Sequence, residues 1–210
     1  MELQPRLIEV ALPDRPAGAV LVLHGGARRG QRMMVSPTQL SVLRMIPVAR
    51  RVARLGGREL AVFRLLNSYR GWDTRHTPVD DARWALQEIA TRLGDRVPTC
   101  LIGHSLGGRA ALFAAGRPEV RSVVALAPWV YPSDAPTGSS DRQILIVHGT
   151  RDRIASPQRS LALARRLQAT ATVRYVAVDG GRHAMLKHHR RFDSLAAEFA
   201  ASTLGSGSGQ

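Results

Sequence analysis

Apolar and polar positions along this chain fall into two alternating rhythms. Short, nearly continuous apolar runs at Leu7–Leu12, Ala19–Leu23, Leu60–Leu66, Thr99–Gly103, Ser122–Ala127, Gln143–Val147 and Val173–Val178 predict strands buried on both faces. Between them, residues Val42–Leu55, Val79–Leu93, Leu106–Ala115, Pro157–Leu167 and about Met185–Ala201 carry helical spacing, with Pro47 marking a first turn or a kink in the first of these. Strands alternating with helices of this length predict an α/β protein: a mainly parallel sheet with helices on both faces. The connection from Ala127 to Gln143 is short and rich in Pro, Ser, Gly and Asp, leaving no room for a folded cap over the carboxyl edge of the sheet. Residues 1–204 are expected to form one domain, with a flexible Gly/Ser tail at 205–210.

The chemistry-bearing segment is Gly103-His104-Ser105-Leu106-Gly107-Gly108. A serine between two glycines, directly after a strand and before a helix former, marks a sharp strand-to-helix turn, because only glycine lets the two elements approach so closely. A serine hydroxyl is a poor nucleophile at neutral pH and needs an imidazole to take its proton and an acid to orient that imidazole. Asp152 follows the strand Gln143–Val147, and His183 follows the strand Val173–Val178 in the loop Asp179-Gly180-Gly181-Arg182-His183. Asp141 precedes its strand and falls at the wrong edge, whereas Asp179 is a rival acid. His188 and His189 lie in a basic helical stretch, and His104 and His148 are expected to pack or hydrogen-bond locally. Cys100, the only cysteine, reads as a small buried hydrophobe.

In the order Ser, Asp, His, from about Leu7 to Leu204, the chain resembles the α/β-hydrolase superfamily, and in particular its small, cap-poor esterases and dienelactone-hydrolase-like members. True dienelactone hydrolases carry cysteine where this chain has Ser105. The resemblance implies Ser105 as nucleophile, Asp152 as acid and His183 as base. An oxyanion hole is expected from the amide of Leu106 together with Gly26, or Ala27 next, in the segment His24-Gly25-Gly26-Ala27. His24 reads as a residue that stabilises this loop. Tyr69, Arg70, Trp72 and Trp129 lie beyond other strand ends and are candidates for binding substrate. The implied activity is hydrolysis of a small ester through an acyl-enzyme. A thioesterase or an acyltransferase would use the same residues, and a noncatalytic binding protein would need none of them.

Composition changes this picture little. The formal charge of +14 is almost all arginine, Lys187 being the only lysine, and the arginines are scattered apart from clusters near Arg28 and Arg190. Solvated faces explain them, so neither nucleic acid nor a membrane is expected as a partner. With no secretory leader pattern and no membrane-length apolar run, the expectation is a cytoplasmic protein. No cofactor and no metal site are expected from the spacing of His, Cys and acidic residues.

Overall fold

The computed structural model describes residues 3–26, 33–94, 97–136, 138 and 140–205. Seven strands form one sheet: β1 (Arg6–Ala11), β2 (Gly18–Leu23), β3 (Leu60–Leu66), β4 (Thr99–His104), β5 (Val120–Leu126), β6 (Gln143–Gly149) and β7 (Thr172–Val178). Their spatial order is β1-β3-β2-β4-β5-β6-β7, with β1 antiparallel to β3 and every other neighbour parallel. The helices are α1 (Leu40–Leu43), α2 (Met45–Gly56), α3 (Thr77–Leu93), α4 (Leu106–Ala114), α5 (Pro157–Leu167) and α6 (His189–Leu204).

Alternation along the central strands divides the core in two. Leu21, Leu23, Leu101, Ile144 and Ile146 point to the face covered by α3, α4 and α5. Val20, Val22, Ile102, Leu145 and Val147 point to the face covered by α2 and α6. Both faces are buried, which is why these strands read as continuous apolar runs instead of alternating ones.

Strand β2 leads to β3 on one side, and the chain then returns to place β4 on the other. The sheet therefore changes direction between β2 and β4, where Leu23 is in register with Gly103. At such a switch point the loops leaving two adjacent strands turn to opposite faces, opening a crevice beyond their carboxyl ends. The loops after β2 and β4 carry Gly25, Gly26 and Ser105.

Two helices differ from expectation. The stretch predicted as one helix from Val42 is two, broken at Arg44, with Pro47 in the first turn of α2. Proline has no N–H to give the Leu43 carbonyl, so the helical bonding cannot run through this point. The last helix starts at His189, not Met185, because Met185 adopts φ 56° in a left-handed turn that sinks its side chain into the core. Leu186 is left exposed by the same turn.

Between β5 and β6 the described residues form turns only. Asp134 in this connection takes a two-pronged ion pair from Arg109 of α4, at 2.6 and 2.8 Å, and also accepts the Tyr131 amide. The connection is thereby pinned to the helix that follows Ser105, and among the described residues it places no folded cap over the carboxyl edge. Among the described residues no helix is long and apolar enough to cross a membrane.

Candidate active site

Ser105 sits between β4 and α4 with φ 55° and ψ −117°, a conformation that side chains rarely adopt. Strain of this kind costs about 1–3 kcal/mol and persists only where the surroundings enforce it. Here the Ser105 amide donates to the Leu126 carbonyl at 3.0 Å, and the Ser105 carbonyl accepts the amides of Arg109 and Trp129, each at 3.1 Å. The flanking glycines are needed for space: a Cβ on Gly103 would overlap the Gly107–Gly108 backbone, and one on Gly107 would lie 2.5 Å from the His24 carbonyl oxygen. Gly103→Ala is expected to lower the unfolding free energy by about 3 kcal/mol or more, since neither backbone can move aside. Urea denaturation measures it; unchanged stability would mean that the turn relaxes.

The residues expected as nucleophile, base and acid lie in one hydrogen-bonded line. Ser105 Oγ is 2.9 Å from His183 Nε2, and His183 Nδ1 is 2.8 Å from Asp152 Oδ2. With the Nδ1 proton donated to the carboxylate, Nε2 is free to accept from the serine. The Ser105 and Asp152 side chains are buried, while the edge of His183 reaches solvent.

The loops carrying Asp152 and His183 are stitched together by backbone. Thr150 N–H donates to the Val178 carbonyl, Arg151 N–H to the Gly181 carbonyl, and Gly180 N–H to Thr150 Oγ1. Asp152 accepts the Ile154 and Ala155 amides on Oδ1 and His183 on Oδ2. Burial works to raise its carboxyl, but hydrogen bonds from His148 and His183, with the charge of His183, outweigh it and hold the carboxyl well below the usual range. Asp179, the rival acid, is exposed and accepts from Thr150 Oγ1. Asp141 lies at the other end of β6.

Three further histidines support the site. His148, fully buried, donates from Nε2 toward Asp152 Oδ2 at 3.1 Å and Ala155 O at 3.2 Å, while its Nδ1 meets Ser160 Oγ at 2.7 Å. Expected to pack or hydrogen-bond locally, it does so with Asp152 itself, four residues further along the chain. His104 donates from Nε2 to the His183 carbonyl at 2.9 Å, with the two rings 5.0 Å apart. Burial, then the neighbouring His183, pushes His104 down to about 3. His24 donates from Nδ1 to the Gly25 carbonyl and accepts the Asn67 amide on Nε2, tying the loop after β2 to the end of β3; burial pushes it down to about 4.

Leu106 is the first residue of α4, so its amide has no acceptor within the helix. Gly25 and Gly26 line the same cleft as Ser105, and a Cβ on Gly26 would collide with the Arg70 carbonyl. Ala27 lies outside the described residues. The cleft has a volume of about 590 Å³, within the range of small-molecule sites. Its walls are mostly aliphatic, lined by Leu40, Leu43, Pro47, Ile154, Ala184 and Leu186 together with Trp129.

Of the four residues expected to bind substrate, only Trp129 lines this cleft. Trp72 instead carries the Arg109 guanidinium 4.0 Å from its ring centroid and packs on Phe113. Tyr69 borders a separate, smaller pocket with Asp73 and Asp81, and Arg70 is exposed. Missed from the sequence were the α1–α2 corner and His189, which stands at the mouth. Arg44 in that corner donates to the Ala184 carbonyl and pairs with Asp193 at 2.7 Å, bracing the His183 loop against α6. Cys100 is fully buried, its thiol pushed by burial up to about 12, so no thiolate competes with Ser105. No group of three metal-binding side chains occurs among the described residues.

The profile of the alpha/beta hydrolase family matches residues 85–191, a span that contains Ser105, Asp152 and His183. The chain belongs to the alpha/beta hydrolase family. No curated protein matches this hydrolase by sequence. Among solved structures it is similar to Est1E from Butyrivibrio proteoclasticus, with 16% identity and TM-score 0.67 over 96% of this chain and 94% of that one. It is likewise similar to XC6422 from Xanthomonas campestris, described as a serine hydrolase without lid, with 17% identity and TM-score 0.68 over 94% and 87% of the two chains. The esterase domain of a Rhodothermus marinus protein aligns at 18% identity and TM-score 0.65, over 96% of this hydrolase and 98% of that domain. At these identities the likeness is one of fold.

Proposed function

We propose that this hydrolase is a cofactor-independent carboxylesterase that works through an acyl-enzyme. The observation that carries the reading is the line Ser105 Oγ to His183 Nε2 to Asp152, with steps of 2.9 and 2.8 Å, opening on an apolar cleft. Neighbours of the same fold described as esterases are in keeping with it.

Ser105 Oγ attacks the ester carbonyl as its proton passes to His183 Nε2, and Asp152 holds the imidazolium through Nδ1–H. The oxyanion that forms is met by the amides of Leu106 and Gly26, preorganised donors worth several kcal/mol at the transition state. His183 then returns its proton to the departing alcohol, leaving acyl-Ser105. Water, deprotonated by the same imidazole, attacks the acyl carbonyl and releases the acid.

An aliphatic cleft favours an aliphatic acyl group. Each methylene it buries is worth about 0.8 kcal/mol, or roughly fourfold in kcat/KM, until the cleft is full. A series of p-nitrophenyl esters from acetate to decanoate should therefore rise in kcat/KM and then level off, with Ser105 labelled by a fluorophosphonate and the label absent in Ser105→Ala. A folded protein that neither turns over these esters nor takes the label would defeat the reading.

A further inference from the structure

The mouth of the cleft is ringed by large aliphatic side chains standing in water. Leu40 is 84% exposed, Leu186 69%, Ile154 61% and Leu43 41%, and all four line the cleft that contains Ser105. They come from three separate segments: the α1 corner, the loop after β6 and the loop before α6. Single exposed leucines are ordinary, but four converging on one opening form a patch that calls for an apolar occupant.

Among the described residues, the exposed charges on the two loops beside this patch are mostly positive, Asp179 being the one exposed acid. Arg151, Arg153, Arg182, Lys187, Arg190 and Arg191 are exposed on, or directly next to, the two loops bearing Ile154 and Leu186. Among the described residues none of these six side chains forms an ion pair. Of the two acids in these loops, Asp152 is buried and Asp179 is bonded to Thr150. Residues 33–58, which include the α1–α2 corner, contain no acid at all.

We infer that the mouth of the cleft docks on an anionic lipid surface and that the esters it takes are acyl lipids drawn from that surface. Ile154, Leu186 and Leu40 enter the boundary between headgroups and acyl chains, while the surrounding arginines and Lys187 meet lipid phosphates. The acyl chain then passes along the aliphatic walls to Ser105 without crossing water. A second copy of the chain is disfavoured on this face because it would set the unpaired cations against each other. The inference rests on the esterase reading and departs from the expectation that the arginines are merely solvated and that no membrane takes part. Only folding brings the cations and the leucines to one opening.

The test is cosedimentation of the Ser105→Ala protein, which leaves lipid intact, with vesicles of phosphatidylcholine alone and with phosphatidylglycerol added. Binding is expected on the anionic vesicles only. Replacing Arg153, Lys187 and Arg190 together by Gln should lower the partition coefficient on the order of a hundredfold. Ile154→Ser with Leu186→Ser, which keeps every charge, should lower it by at least about tenfold.

No binding to anionic vesicles, or binding that Ile154→Ser with Leu186→Ser leaves unchanged, would overturn the inference, the second by reducing it to adsorption of cations anywhere on the surface. It would equally fall if the same variants abolished a dimer in sedimentation velocity, or abolished binding to an acidic acyl carrier protein while vesicles were ignored. The wild type is assayed in parallel on a soluble p-nitrophenyl ester. Vesicle binding without turnover would defeat the esterase reading and leave docking standing, and turnover without vesicle binding would do the reverse.

Discussion

Asp152→Asn is expected to lower kcat/KM for p-nitrophenyl butyrate by about 10⁴-fold, nearly all of it in kcat. The carboxylate receives four donors: the Ile154 and Ala155 amides on one oxygen, and His183 and His148 on the other. Asparagine offers one acceptor oxygen, so its NH₂ must face one of the two donor pairs. Turned toward the imidazoles, it forces the His183 proton onto Nε2, the atom that has to be bare to accept from Ser105. Turned toward the backbone, it pushes out residues 154 and 155, which form the turn at the edge of the cleft. Asp179→Asn is the matched control, since that carboxylate is exposed and bonded to Thr150. Its kcat/KM should stay within about twofold of wild type, as surface changes away from a site usually do. Retention of activity within tenfold by Asp152→Asn, or an equal loss in Asp179→Asn, would remove Asp152 from the role of acid.

Stability should fall by about 3 kcal/mol between pH 7 and pH 5, measured by urea unfolding. His24 and His104 stay neutral in the fold, pushed by burial to about 4 and about 3, whereas in the unfolded chain each takes a proton near its ordinary value of 6.5. Their stabilisation is complete above pH 6.5 and declines as acid is added, by about 2 kcal/mol for each at pH 5. Asp81 works the other way: burial, only partly offset by hydrogen bonds from Ser68, pushes it up to about 6. Its ionisation weakens the fold above that pH, and acidifying to pH 5 returns about 1 kcal/mol. The lowered carboxyl of Asp152 is ionised in both folded and unfolded chains over this window, so it adds no slope until the pH falls below its ordinary 3.8. His104→Gln, whose amide can still donate to the His183 carbonyl, should remove about half of the histidine contribution. A stability that is flat or rises toward pH 5 would show that these two histidines are not neutral in the fold.

The five central strands were legible from the sequence because both faces of the sheet are covered there, whereas the edge strands β1 and β7 are half-exposed and show as interrupted apolar runs. The apolar run Leu60–Leu66 coincides with β3, and the other runs differ from their strands by a residue or two at an end. The order of Ser105, Asp152 and His183 was legible for a topological reason: in a parallel sheet every loop that follows a strand reaches the same edge. The residues that decide what enters the cleft were not. Trp72 was expected to meet substrate, but Arg109, thirty-seven positions away in sequence, offers its ring a guanidinium to stack on. His148 plays the local part expected of it, with Asp152 and Ser160 on its two nitrogens, but those partners were not legible.

What the sequence by itself determined, then, is the alternation of elements, the sheet they build, and the segments that bring a serine, an acid and a histidine to its carboxyl edge. These follow from the two- and 3.6-residue periods of apolar side chains and from steric limits between neighbours, both of which act over a few residues. Only the tertiary structure decided the left-handed turn at Met185, the brace from Arg44 to the Ala184 carbonyl and Asp193, and the meeting of Leu40, Ile154 and Leu186 around one opening. Those depend on how far each loop travels before packing against another, and contacts between residues more than a hundred positions apart leave no periodic mark on either partner.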